Sequence, residues 1–296
     1  MADVFTYASK EFSDIVRSRR FIVLIVVFGL IMIIPVITIY VQVSKETPSH
    51  PRAPMPQKFL GVMAYTLSGT LSLFASVMGL ALGYDAISGE RENGTLKTIL
   101  AQPIFRETVI NGKFLAAASA VFLAILITST ATVGASTIII GVTPTPEETL
   151  RMALFLIISI IFTMTYFSIS TFFSTVLKKT SHSIIVSVTL WAMFQFVIPV
   201  IALLIALTIA TPDAPEFIAN AETISSLSPE YHFTKIGEYL LALYAVEGLS
   251  ISQQPRNGAS ITSSLMYAGP NILVLVIVTF LFFTFAYMTF TRQEIR

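Results

Sequence analysis

Residues 87–106 read ISGERENGTLKTILAQPIFR, a charged interruption between two segments apolar enough to live in lipid. Glu90, Arg91 and Glu92 cluster at its start, Gly94 permits a sharp reversal, and Leu96, Ile99 and Leu100 recur at helical spacing until Pro103. Thr95 is placed to cap this second short helix, and Arg106 and Lys113 stand where the chain re-enters the apolar phase. A plain re-entry turn with charged ends needs no second apolar stripe. The stretch is therefore expected to be a docking element, with Leu96, Ile99 and Leu100 filling a groove on another protein and Glu90, Arg91 and Glu92 at its rim.

Working outward, apolar runs cover residues 21–43, 59–84, 114–141, 152–177, 183–210 and 271–290, each near the ~20 residues that cross a hydrocarbon layer. The whole chain of 296 residues is 54% hydrophobic and 12% charged, with a mean hydropathy of +0.79. A soluble domain carries about a quarter charged residues. The expected fold is an all-α polytopic membrane protein in one transmembrane domain of six spans. The first run exceeds the core of a signal peptide and no small-residue cleavage site follows it, so it is read as a retained helix. Before it, residues 1–20 place Val4, Phe5, Ala8, Phe12, Ile15 and Val16 on one helical face, an amphipathic helix for the interface plane. Pro48, Pro51, Pro54 and Pro56 make residues 44–58 an extended loop.

Several spans carry a small, polar face. In the second, Tyr65, Ser68, Ser72, Ser76, Gly79 and Gly83 recur every three or four residues. Such a face serves close helix packing or lines a pathway, and the spacing admits both. The fourth span repeats the pattern with Ser159, Thr163, Tyr166, Ser170 and Ser174. The fifth holds Trp191, Gln195 and a kink expected at Pro199; Gln195 should face protein or water, as interhelical glue or as a ligand contact.

Residues 211–270 are more than a loop. Ser228 and Pro229 form an N-cap and first-turn signature, and Phe233, Ile236, Leu240, Leu243 and Tyr244 make a stripe stopping near Gly248. One helix is expected here, preceded by a shorter one near residues 216–224, resting on or dipping into the outer leaflet. Six spans put both termini on one side. The termini, residues 85–113 and residues 178–182 hold 12 of the 18 basic residues, so that side is cytoplasmic and residues 211–270 face out.

The search for chemistry excludes most classes. No cysteine is present, and His50, His182 and His232 are scattered, leaving no metal motif and no catalytic constellation. Gly112–Lys113 lacks the glycine before it and the Ser or Thr after it that a Walker A loop requires. No charged residue lies well inside a span, against an ion-coupled carrier. A net charge of +1 without a basic face argues against nucleic acid as a partner.

In order and spacing, Glu90, Arg91, Glu92, Gly94, Thr95, Leu96, Leu100, Pro103, Arg106 and Lys113 resemble the cytoplasmic signature of ABC type 2 permeases, most closely the NosY-like ones. The resemblance implies a half-transporter of the plasma membrane. Two permease subunits, identical or different, would pair in the lipid bilayer, each served by a separate ABC ATPase that holds the ATP and Mg. Residues 87–106 would be the coupling helix, and this chain would bind no cofactor and catalyse nothing. The expected function is export of a hydrophobic or amphipathic substrate. The alternative is an ATPase-linked assembly or sensory protein that transmits force to an outward partner without transport.

Overall fold

The computed structural model describes residues 3–45, 59–102, 104–141, 143–209, 215–241 and 260–293, and every regular element among them is helical. In chain order these are α1 (Val4–Arg17), α2 (Arg19–Lys45), α3 (Phe59–Gly83), α4 (Ser88–Glu92), α5 (Thr95–Leu100), α6 (Arg106–Ile140) and α7 (Pro146–Val176). There follow α8 (Thr180–Ala192), a π-helical turn (Met193–Val197), α9 (Ile198–Ile209), α10 (Pro215–Ser225), α11 (Pro229–Leu240) and α12 (Ile261–Arg292). Six stretches among the described residues are long and apolar enough to cross a bilayer. The protein is an all-α polytopic membrane protein.

The bundle is built around α7, which buries residues on nearly all sides, as a helix apolar all round must. Its start is fixed by a capping box: Thr145 N–H donates to Glu148 Oε2 at 2.8 Å, and Glu148 N–H donates back to Thr145 Oγ1 at 3.3 Å, with Pro146 in the first turn. On one flank α3 lies against α7 through Gly79 and Gly83. A Cβ on Gly79 would collide with the Thr163 carbonyl and sit 2.9 Å from Phe167 N; one on Gly83 would collide with Ser170 Oγ. Only hydrogen lets the two backbones approach this closely. The hydroxyls of the seam mostly bond their own helices: Ser159 donates to Phe155 O at 2.8 Å, Thr163 to Ser159 O at 2.8 Å and Ser76 to Ser72 O at 2.9 Å. Ser68, Ser72 and Ser76 are buried, so in this conformation that face is a packing surface.

Prolines act here less as terminators than as local adjustments. Pro35 and Pro270 lie inside α2 and α12, and α12 begins at Ile261, ten residues before the expected run, on a Ser260 cap that accepts from Ser263 N–H at 3.2 Å. The kink expected at Pro199 is a π turn: Pro199 offers no N–H to Gln195, and the Ile198 N–H reaches back to Met193 O.

Of the two placements expected, resting on the membrane or dipping into it, residues 215–240 correspond to the second, as a re-entrant hairpin. α10 returns along α9, the chain turns at Ser226–Ser228, and α11 climbs back against α12, α7 and α3. The Ser228–Pro229 start is as expected, with Ser228 Oγ accepting from Tyr231 N–H at 3.3 Å. The turn lines a small cavity with Phe194, near the middle of the Thr180–Ile209 span, so the tip lies deep in the bundle. An aromatic stack carries it inward, Phe233 against Phe162 at 4.3 Å and against Phe155 at 5.0 Å between ring centroids. Lys235 straps the two arms by pairing with Glu222 at 2.8 Å, and buried Arg151 donates to Leu240 O at 3.2 Å. Leu243, Tyr244 and Gly248, and the prolines of residues 46–58, lie outside the described residues.

Candidate docking site

At the end of the bundle that carries both termini, α4 and α5 form a short hairpin beneath α7. Ser174 of α7 pins its entry: Ser174 Oγ accepts from the N–H groups of Ile87 at 3.0 Å and Ser88 at 2.9 Å. The reversal falls at Gly94, whose φ of 73° lies in the left-handed region that favours glycine. Gly94, not Thr95, is the N-cap of α5. Thr95 Oγ1 instead donates back to Glu90 O at 3.2 Å, satisfying a carbonyl that the reversal leaves open.

Leu96, Ile99 and Leu100 do form a stripe, but it faces the chain's own core. Leu96 is 1% exposed, in a cluster with Tyr7, Ile87, Val109, Ile110, Ala286 and Phe290, and Ile99 and Leu100 pack against that cluster half-buried. Leu96 is therefore not free to fill a groove on a partner, whereas Ile99 and Leu100 keep part of their surface exposed. Burying Leu96 here removes more apolar surface from water than exposing it for a partner, and the ends of α6 and α12 supply the groove. What the hairpin leaves exposed is Glu92, Thr95, Lys97, Thr98, Gln102 and Phe105. Pro103 lies outside the described residues.

The charged residues divide the same way. Arg91 donates to Gln293 Oε1 at 2.7 Å, to Leu177 O at 3.2 Å and to Thr175 O at 3.3 Å. Arg106 donates to the carbonyls of Gln293 and, at 3.3 Å, Thr291. The two guanidiniums thus tie both feet of the hairpin to the end of α12, using donors that a planar fork can spread over several carbonyls. Glu90 accepts from Lys113 Nζ at 2.6 Å, and Lys113 also holds Glu11 of α1 at 2.8 Å. Of the three rim residues expected, only Glu92 is exposed.

The Lys113 node was not foreseen. Lys113 is 8% exposed, and Glu11 lies on the packed face of α1 beside Tyr7 and Ala8, while Phe5 of the expected stripe points out at 71% exposure. Burial works against the Glu11 charge, but the Lys113 ammonium overcomes it and holds the carboxyl below its usual value. Burial, with Glu11 and Glu90 nearby, pushes the Tyr7 phenol up. The signal was present in the sequence, since Glu11 falls at helical spacing between Ala8 and Ile15 on the stripe itself.

The other candidates lie in the membrane bundle, away from this node. Trp191 Nε1 donates to Ser76 Oγ at 2.9 Å, joining the fifth span to the second. Gln195 sits in the π turn, half-buried, and its Oε1 has no partner among the described residues. Tyr65 lies within α3, and its side chain is outside the described ones. Sequence reading also missed Glu230, which the re-entrant hairpin carries to Tyr166 of α7. No charged residue lies well inside a span by sequence, yet folding places this one at span depth.

Among the described residues, a short helical hairpin thus projects from a bundle of six apolar spans and is tied to the first and last helices. No curated protein matches the chain. A family model described as ABC-2 family transporter protein matches residues 5–295. The chain belongs to the ABC-2 transporter family and is a membrane permease subunit of an ABC transporter.

Proposed function

We propose that this permease is an exporter of the NosY-like kind, working as one of two paired permease subunits, each engaged by a separate ATPase on the exposed face of the α4–α5 hairpin. The observation that carries the reading is the two-sidedness of that hairpin: Leu96 is locked into the bundle, and the opposite side, with Glu92, Thr95, Lys97, Thr98 and Phe105, is uncovered. A push on the exposed side is delivered through Leu96, Arg91 and Arg106 to the ends of α6, α7 and α12, and through Lys113 to α1. The hairpin is then a lever, and its buried stripe is the fulcrum. The distribution of basic residues supports a cytoplasmic placement for this end and for both termini.

Of the six spans, Thr180–Ile209 has the smallest share of its side chains buried within its own chain, which leaves it most surface for a second permease subunit. Apolar spans with hydroxyl-bearing seams support a hydrophobic or amphipathic cargo. ATP and Mg belong to the partner, since no sequence here resembles a nucleotide loop.

The test is copurification with the cognate ATPase. Lys97→Glu combined with Phe105→Ala is expected to lower ATPase recovery at least tenfold, which corresponds to about 1.4 kcal/mol of lost binding, while leaving the permease folded. Full recovery with this pair refutes docking on the exposed face. ATPase stimulation that persists in vesicles without movement of any cargo favours the force-transmitting alternative.

A further inference from the structure

Glu230 lies near the start of α11, at the foot of the re-entrant hairpin, and is 7% exposed. The Tyr166 hydroxyl of α7 donates to its Oε1, while Oε2 is buried without a partner among the described residues. Its depth follows from helix geometry. Tyr166 is about 20 residues, roughly 30 Å, from the start of α7 and about 15 Å from its other end, within the ~30 Å hydrocarbon thickness centred on that helix.

Among the described residues, no cation is paired with this carboxyl. On α7, Arg151 is engaged about 15 Å away, at the other end of α11, with Leu240 O, Ser264 and Glu147. On α11 itself, Lys235 is held between Glu222 of α10 and Glu238, beside the Tyr231 ring. His232 is occupied by Asn271 of α12 and Ser226 O. Tyr239 stacks on Tyr267 of α12, and Arg292 lies in the last turn of that helix. Neither α3 nor the π turn contains a charged residue, and Glu216 at the start of α10 is another acid. A carboxylate at this depth with an orphaned oxygen is strongly disfavoured, and such a group neutralises.

We propose that Glu230 is a proton-binding site at membrane depth, carrying a proton while the re-entrant hairpin is seated on α7 and unseating the hairpin foot when that proton leaves. The proton moves between the carboxyl and water, with no other reactant. The linkage has a definite sign. A seated carboxyl kept neutral by its buried surroundings binds more protons than a released one in water, so seating weakens as pH rises above the ordinary carboxylate range until the seated carboxyl has itself lost its proton. The site requires neither ATP nor an ATPase, so its failure and that of the exporter reading are separable.

The experiment uses the full chain in lipid nanodiscs without nucleotide. Infrared absorption reports the protonated carboxyl, and the absence of cysteine lets Leu227→Cys and Ile185→Cys carry a spin-label pair that reports the hairpin tip against α8. Wild-type protein is expected to show a carboxylic-acid band at about pH 6, above the ordinary carboxylate value, that is lost as pH rises further, with the label distance changing as the band is lost. Glu230→Gln, permanently neutral, is expected to lack the band and keep the seated distance at both pH values. Tyr166→Phe, which removes a donor to the carboxylate and leaves Glu230 in place, is expected to move the band's midpoint to higher pH and serves if the glutamine variant does not fold. A band that disappears near the ordinary carboxylate value, a distance change that survives in Glu230→Gln, or deprotonation that leaves the distance unchanged overturns the proposal.

Discussion

Replacing Lys113 by Met, close in volume but uncharged, tests how the terminal end is held together. Lys113 lies 2.6 Å from Glu90 and 2.8 Å from Glu11, and all three side chains are largely buried. At an effective dielectric of 20, each contact is worth about 6 kcal/mol of gross attraction. Desolvation of three ions, at several kcal/mol each, consumes most of it, along with repulsion between the two carboxylates. What remains when the cation alone is removed is Glu90 without its cation and Glu11 held only by the exposed Lys10 at 2.9 Å, and breaking a buried pair in this way costs up to about 3–5 kcal/mol. Lys113→Met is therefore expected to lower the thermal midpoint in detergent and to raise hydrogen exchange across α1. The deficit has a pH signature. In the wild type Glu11 is held below its usual value, so its contribution is present above the ordinary carboxylate range and fades as pH falls through the lowered one. Without Lys113, burial is opposed at Glu11 by Lys10 alone and its carboxyl rises, so acidification narrows the gap to wild type. The triple variant with Glu11→Gln and Glu90→Gln is expected to recover most of the loss, because a neutral set of similar volume avoids the desolvation cost. A single variant as stable as wild type, or a triple variant no better than the single, refutes the node.

Three further substitutions probe the packing of the bundle and of the hairpin. Gly79→Ala sets a Cβ against the Thr163 carbonyl and is expected to cost at least the ~1–3 kcal/mol of overpacking, whereas Gly69→Ala, with nothing within 4 Å, should be neutral or stabilising; equal thermal midpoints would count against the α3–α7 seam. Leu96→Ala is expected to cost the permease about 2–5 kcal/mol in the absence of any partner, measured by detergent unfolding. An unchanged permease that loses its ATPase would show instead that Leu96 contacts the partner.

The sequence made legible those features that depend on local pattern. Six apolar runs, the break at Gly94 and the Ser228–Pro229 helix start are consequences of transfer energy and backbone freedom, which need no tertiary partner. It was silent where a residue's role depends on what folds against it. The stripe Leu96, Ile99 and Leu100 is the same whether it meets another protein or its own α6 and α12, and only the fold shows the latter. Glu11 carried no role in the sequence because its partner Lys113 lies 102 residues away. Glu230 belongs to no span, so a search for charge inside spans passed over it, although the hairpin carries it to their depth. The kink at Pro199 was readable, but its conversion into a π turn depends on how the freed carbonyl of Gln195 is accommodated.

The central claim is that this chain moves cargo only when a separate ATPase acts through the α4–α5 hairpin. Its most direct test is reconstitution of the permease into lipid vesicles with and without the cognate Walker-type ATPase, following ATP hydrolysis together with movement of a hydrophobic or amphipathic reporter. The account predicts neither hydrolysis nor ATP-dependent movement by the permease alone, and both when the ATPase is added. ATP hydrolysis by the purified permease, or ATP-dependent movement without the partner, would contradict it.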